Sequence, residues 1–199
     1  MIIDRKRLVR FLLVFGLLYT VCVLPWPGLR DDAANAFRSI GNTLFGGLRG
    51  DGNVVFSAPV DGRAAFDSRI TLFDRSKRLY RDVPYDAHIY AYLPIALLTC
   101  LCLASPLPWR RRLTILAIGL GILAAFLWLR ILLLLLRELT RGDGLGTWRP
   151  TRSQWWIIEI LSGLAAKAPV PNFTLPVLIW AFLMHAVGGV RIRLGNRHG

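Results

Sequence analysis

Apolar and polar positions alternate along this chain in long blocks, and the longest apolar block, Leu113 to Leu136, contains a single charged side chain, Arg130. At a rise of about 1.5 Å per residue a helix of that length covers the hydrocarbon core of a bilayer, roughly 30 Å thick. Three further blocks, Phe11 to Trp26, Ile89 to Trp109 and Thr174 to Val190, are apolar enough to read as companion spans. The pattern therefore predicts four transmembrane helices.

The intervening segments are shorter in period. From Ala33 to Leu48, residues Ala33, Phe37, Ile40, Leu44 and Leu48 recur at steps of three and four, with Arg38 and Asn42 opposite, which predicts an amphipathic helix lying on the membrane surface. Val54 to Phe56, the turn signal Asp61-Gly62, and an alternation that places Ala64, Phe66, Ile70 and Leu72 on one face and Arg63, Asp67 and Arg69 on the other predict a β-hairpin. A hairpin alone is marginal in water, so its apolar face must rest on the helix, on the spans or on another protein. The second polar segment opens at Gly142-Asp143-Gly144-Leu145-Gly146 and continues into Trp155-Trp156-Ile157-Ile158, a helix at headgroup level that ends near Pro169 and Pro171. No phosphate-loop lysine follows those glycines, so nucleotide binding has no support.

The expected fold is an all-α polytopic membrane protein of four transmembrane helices, with a small exterior amphipathic helix plus β-hairpin between the first and second spans. Its parts are 1–27, a basic cytoplasmic start and first span; 28–88, the exterior module; 89–136, the paired second and third spans; 137–173, an exterior loop with an interfacial aromatic helix; and 174–199, the fourth span and a basic tail.

Composition agrees with a membrane class: 54% of residues are hydrophobic, mean hydropathy is +0.47, and there are seven Trp among 199 residues. The net charge of +13 does not point to nucleic acid. Basic residues cluster at Arg5-Lys6-Arg7 with Arg10, at Arg110-Arg111-Arg112, and at Arg191, Arg193 and Arg197, each beside an apolar block. This positive-inside pattern sets the triplet Arg110, Arg111 and Arg112 and both termini in the cytoplasm. Trp26, Trp109, Trp155 and Trp156 suit interfacial anchors. Ala34-Asn35-Ala36 has the form of a cleavage triplet, but Pro25, Pro27 and Asp31-Asp32 hold it too far from the apolar centre, so the first block is expected to remain as an anchor.

Candidate chemistry is sparse. Cys22, Cys100 and Cys102 fall inside apolar blocks, and on a helix Cys100 and Cys102 point about 200° apart, which is unsuited to joint metal ligation or to a redox pair. His88, His185 and His198 share no membrane depth. His88 lies near Asp86, Tyr85 and Tyr90, a polar cluster or merely a wet helix entrance. Arg130 is the sharpest candidate, because a guanidinium within a span must meet a partner, a cavity or the interface. A transporter pathway would need several facing polar groups, and no internal repeat is present. No catalytic, cofactor or metal residue emerges from these positions.

The layout resembles proteins of the exosortase system, and most closely the exosortase H-associated membrane protein family. The likeness rests on Ile70-Thr71-Leu72, on Ile89-Tyr90-Ala91-Tyr92-Leu93-Pro94-Ile95-Ala96-Leu97, on Ala104-Ser105-Pro106-Leu107-Pro108-Trp109-Arg110-Arg111-Arg112, and on Pro171 to Phe182. Exosortases resemble sortases in using Cys, Arg and His near the outer face. Arg130 matches the arginine, whereas Ala91 and Tyr92 stand where the cysteine is expected. The resemblance thus implies a non-catalytic bacterial inner-membrane accessory protein of a protein-sorting or envelope-export system, whose partners are the lipid bilayer and an exosortase-like membrane protein. The alternative it implies is a divergent exosortase-like cysteine peptidase or transpeptidase.

Overall fold

Proline and glycine decide where the apolar blocks stop being helical. The computed structural model describes residues 5–24, 28–46, 54–60, 66–73, 79–140, 151–166 and 170–187. Helix α1, Arg5–Val23, ends ahead of Pro25, as the steric bar on helical geometry before proline requires. Gly28, in the left-handed region at φ 82°, starts α2, Leu29–Phe45, whose first turn carries Asp31 and Asp32 where the helix dipole favours anions. Three strands follow, β1 Val54–Ser57, β2 Ser68–Phe73 and β3 Leu79–Tyr85, in an antiparallel sheet of order β1-β2-β3. Ile70 of β2 stands opposite both Phe56 and Val83. A π-helical turn, His88–Tyr92, leads into α3, Leu93–Ala104. Pro94 has no N–H for the carbonyl of Tyr90, which accounts for the looser turn ahead of it. The remaining helices are α4 Trp109–Thr140, α5 Arg152–Ala166 and α6 Val170–Ala186.

Four spans are not found. Among the described residues only α4 is long and apolar enough to cross a membrane, with 30 residues, Trp109–Glu138, at a mean hydropathy of 2.5. The other blocks yield shorter apolar helices, Leu8–Val23, His88–Ala104 and Asn172–Ala186. The expected second span is cut short because Ser105-Pro106-Leu107-Pro108 cannot continue α3. Nor is the fold all-α with a hairpin: 78% of the described residues are helical and the strands number three. The third, β3, was not expected; it contains Asp82 and Pro84, residue types that strands disfavour, and Pro84 is tolerated because β3 lies at a sheet edge. The expected turn at Asp61-Gly62 and the glycine-rich segment at 142–146 lie outside the described residues.

The chain divides into two compact units, one of Met1–Leu24, Leu93–Phe126 and Val170–Gly199, the other of Pro25–Tyr92 and Leu127–Pro169. In the first, α3 packs against α1 and α6, and Leu98 of α3 and Ile115 and Leu123 of α4 are buried. Phe11 stacks on Trp180 with centroids 5.5 Å apart, and Trp180 Nε1 donates to Ser105 Oγ at 2.8 Å. Arg112 donates from Nε to the Leu107 carbonyl, in the turn after α3, and from Nη1 to the Leu103 carbonyl, in the last turn of α3, at 2.7 and 2.6 Å. The buried thiol of Cys100 lies 3.7 Å from that of Cys22.

In the second unit, one face of the sheet, with Val54, Phe56, Ile70, Leu72 and Tyr85, packs on Phe37 and Phe45 of α2 and on Ile131 and Leu135 of α4. The buried side of α2 consists of Ala34, Phe37, Gly41 and Phe45 and leaves Ile40 and Leu44 about half exposed, so the helix is rotated from the expected face. Gly41 permits the rotation, since a Cβ there would come within 2.7 Å of the Phe56 ring.

Candidate functional site

Helix α4 carries Arg130 into the second unit one residue before Ile131, which is in the core, and the guanidinium is only 5% exposed. Such burial excludes outward snorkelling. The guanidinium carbon lies 4.8 Å from the centroid of the Tyr90 ring, a cation–π contact that gains strength when desolvated. Tyr90, in the π-helical turn, meets Tyr85 at 5.3 Å; Tyr85 stacks on Phe37 at 5.0 Å, and Phe37 on Trp128 at 5.6 Å. One aromatic column thus runs from Trp128 to the arginine.

Beside it lies a half-open cavity of about 140 Å³. Among the described residues it is lined by Val83, Pro84, Tyr85, Tyr90, Arg130, Ile131 and Leu134. The Tyr85 hydroxyl is buried with no hydrogen-bond partner, a deficit of about 1 to 3 kcal/mol for a polar group withdrawn from water. Burial pushes the Tyr85 phenol well above its ordinary pKa, with Arg130 pulling weakly the other way. The group is therefore a neutral O–H donor at every physiological pH.

The neighbouring candidates Asp86 and His88 have structural work. Asp86 accepts from the backbone N–H of Ile89 at 3.0 Å, capping the turn that begins at His88, and its other oxygen lies 3.5 Å from Arg30. His88 stacks on Tyr92 at 5.1 Å. Asp67, expected on the solvent face of a strand, instead lies buried and accepts from the backbone N–H of Ala87 and His88 at 2.7 and 2.9 Å. Arg38 donates to the Asp67 carbonyl at 2.7 Å. Ion pairs at the end of α4 link Arg81 to Glu138 at 2.7 Å and Arg137 to Glu159 at 3.1 Å.

Arg110 and Arg111 are exposed, while Arg112 is committed to α3. Trp109, Trp155 and Trp156 are exposed at 60%, 42% and 59%, and Trp26 lies outside the described residues. Cys100 and Cys102 are each 1% exposed. Among the described residues no cluster of His, Cys, Asp and Glu could hold a metal ion.

Sequence spacing singled out Arg130 and placed Tyr85 and Tyr90 near His88, but it gave no sign that the tyrosines belong to the arginine. That link depends on β3, whose last residue is Tyr85. No family model, curated protein or solved structure matches the chain.

Proposed function

We propose that this chain is a non-catalytic protein of the bacterial inner membrane, anchored through α4, that presents its helix-and-sheet unit on the exterior side to an exosortase-type membrane enzyme. The observation behind this reading is that Ile131 and Leu135, on the one helix among the described residues long and apolar enough to cross a bilayer, also form part of the sheet's core. Part of the candidate span thereby belongs to the core of the folded module. The exosortase partner comes from the sequence resemblance alone. A cysteine peptidase acting through Arg130 has less support, because the Cys100 and Cys102 thiols are packed away from solvent, where a nucleophile would be inaccessible.

Affinity purification of the tagged chain from its native host in mild detergent, with mass spectrometry of what accompanies it, tests the proposal. An exosortase or its sorting-signal substrates are the expected companions. Recovery of unrelated envelope machinery, or of no companion, removes the partner assignment.

A further inference from the structure

We propose that a pocket at the basic end of α4 holds the phosphate of an anionic phospholipid, whose acyl chains lie outward along α1. The lipid source rests on the reading of α4 as the membrane anchor, whereas the phosphate chemistry rests on the first unit alone.

The pocket, about 350 Å³ and half open, lies among α1, the end of α3 and the first turn of α4, all within the first unit. Arg10 of α1 and Arg112 of α4 line it, and among the described residues no acidic side chain does. Two guanidinium groups with no carboxylate between them favour an anion, and the planar fork of each matches a phosphate. Arg112 is already held in place. Its hydrogen bonds to the Leu103 and Leu107 carbonyls fix the guanidinium at the wall to which Leu103 belongs. Those bonds engage two of its five donors, and their acceptors are neutral, so the positive charge persists. Arg10 shares a face of α1 with Val14, one turn further on, which also lines the pocket.

Size and surroundings choose the source. A volume of about 350 Å³ stands near the small end of ligand pockets, which run from about 300 to 1,000 Å³. It has room for a phosphate and its glycerol, and the acyl chains must lie outside. From the pocket an exposed apolar stripe continues along α1, since Val14, Leu17 and Val21 follow Arg10 at steps of four, three and four. Positive charge at one end and hydrocarbon leading away from it suit an amphipathic ligand, and a free phosphate would use only the first. Depth agrees. Trp109 opens α4 one turn before Arg112 and is largely exposed, as suits a tryptophan at headgroup level. Basic pockets beside membrane helices on the cytoplasmic side take anionic headgroups in this way. A zwitterionic lipid would bring its own cation towards two guanidinium groups, so phosphatidylglycerol is favoured over phosphatidylcholine.

The test uses the full chain, delipidated in dodecyl maltoside, and follows the thermal unfolding midpoint as dioleoyl phosphatidylglycerol becomes a rising fraction of the micelle. The comparisons are dioleoyl phosphatidylcholine and, at matched ionic strength, glycerol phosphate and inorganic phosphate. Phosphatidylglycerol is expected to raise the midpoint saturably, and the comparisons are not. Arg10→Gln, at an exposed position, should keep the fold and weaken half-saturation about fivefold, the loss of one basic residue's attraction for an anionic headgroup. Arg110→Gln removes the same charge about 200° around α4 from Arg112, outside the pocket lining, and should leave half-saturation unchanged. Equal stabilisation by phosphatidylcholine would deny selection by charge, and an equal response to glycerol phosphate or inorganic phosphate would deny a lipid. Equal half-saturation in the two variants would deny the pocket. Any of the three overturns the proposal. Alkaline carbonate extraction of host membranes judges the anchor separately. Retention of the chain without a phosphatidylglycerol response sinks the site and leaves the anchor, whereas release into the supernatant sinks the anchor and, with it, the lipid source.

Discussion

Asn42 shows how a polar residue on an amphipathic helix escapes a reading from spacing. Opposite the expected apolar face it looked destined for solvent, yet its side chain donates to the Phe56 carbonyl at 2.9 Å and accepts from the Phe56 N–H at 2.8 Å. Phe56 lies on the edge strand β1, whose outward backbone groups would otherwise be open to pairing. Asn42→Ala should therefore destabilise the chain by about 1 to 3 kcal/mol, as expected when two backbone groups lose partners, whereas Ser39→Ala on the exposed side should cost far less. Thermal or denaturant unfolding of the two variants checks this, and equal losses would remove Asn42 from that role. Asp67 makes the same point: it lies twenty residues or more from the N–H groups of Ala87 and His88 that it binds. Arg130 was legible because a lone charge in an apolar block is conspicuous by composition. Its aromatic neighbours were not, since only the folded sheet brings them there.

At the level of elements, type was easier to read than length or orientation. Apolar blocks became helices, but prolines end two of them, α1 ahead of Pro25 and α3 ahead of Pro106, below the length of α4, and composition alone gives such breaks too little weight. The strand β3 was hidden by residues that an edge strand tolerates and a central strand does not. Helix α2 was placed in the correct region yet turned, because Gly41, counted as neutral in a hydrophobic periodicity, makes the closest approach to the sheet. The packing of α1 on α3 offers a direct check. The sulfurs of Cys22 and Cys100 lie 3.7 Å apart and are not joined as a disulfide, which needs about 2.05 Å, a short movement for two facing side chains. Copper phenanthroline in air, with oxygen accepting the two electrons and two protons, should join Cys22 to Cys100. Cys102, about 200° around α3, should remain a thiol. Non-reducing peptide mapping identifies the pair, and a Cys22 to Cys102 bond would refute this packing of the helices.

For the molecule as a whole, the sequence indicated a membrane class, and among the described residues the structure supports that through one helix long and apolar enough to span. The division into units that interleave along the chain was not visible, because each gathers segments distant in sequence, as with Leu127–Pro169 joining Pro25–Tyr92. Under the proposed orientation the basic triplet ahead of α4 is cytoplasmic. Replacing Arg110 and Arg111 by Glu should then reduce the fraction of chains whose Asp86 side faces the exterior, since those charges bias insertion. Labelling of a cysteine placed at Val60, 81% exposed, with a membrane-impermeant thiol reagent reports that fraction. Unchanged labelling would separate the triplet from orientation. Arg112 differs from its two neighbours, because the side chain that adds to the positive flank also holds the Leu103 carbonyl at the end of α3 and the Leu107 carbonyl of the turn after it. A lysine there would carry the same charge but lacks the fork that reaches two carbonyls at once. At this position the code for orientation and the closure of a helix are inseparable, so evolutionary drift that conserves charge alone would loosen the joint between two helices.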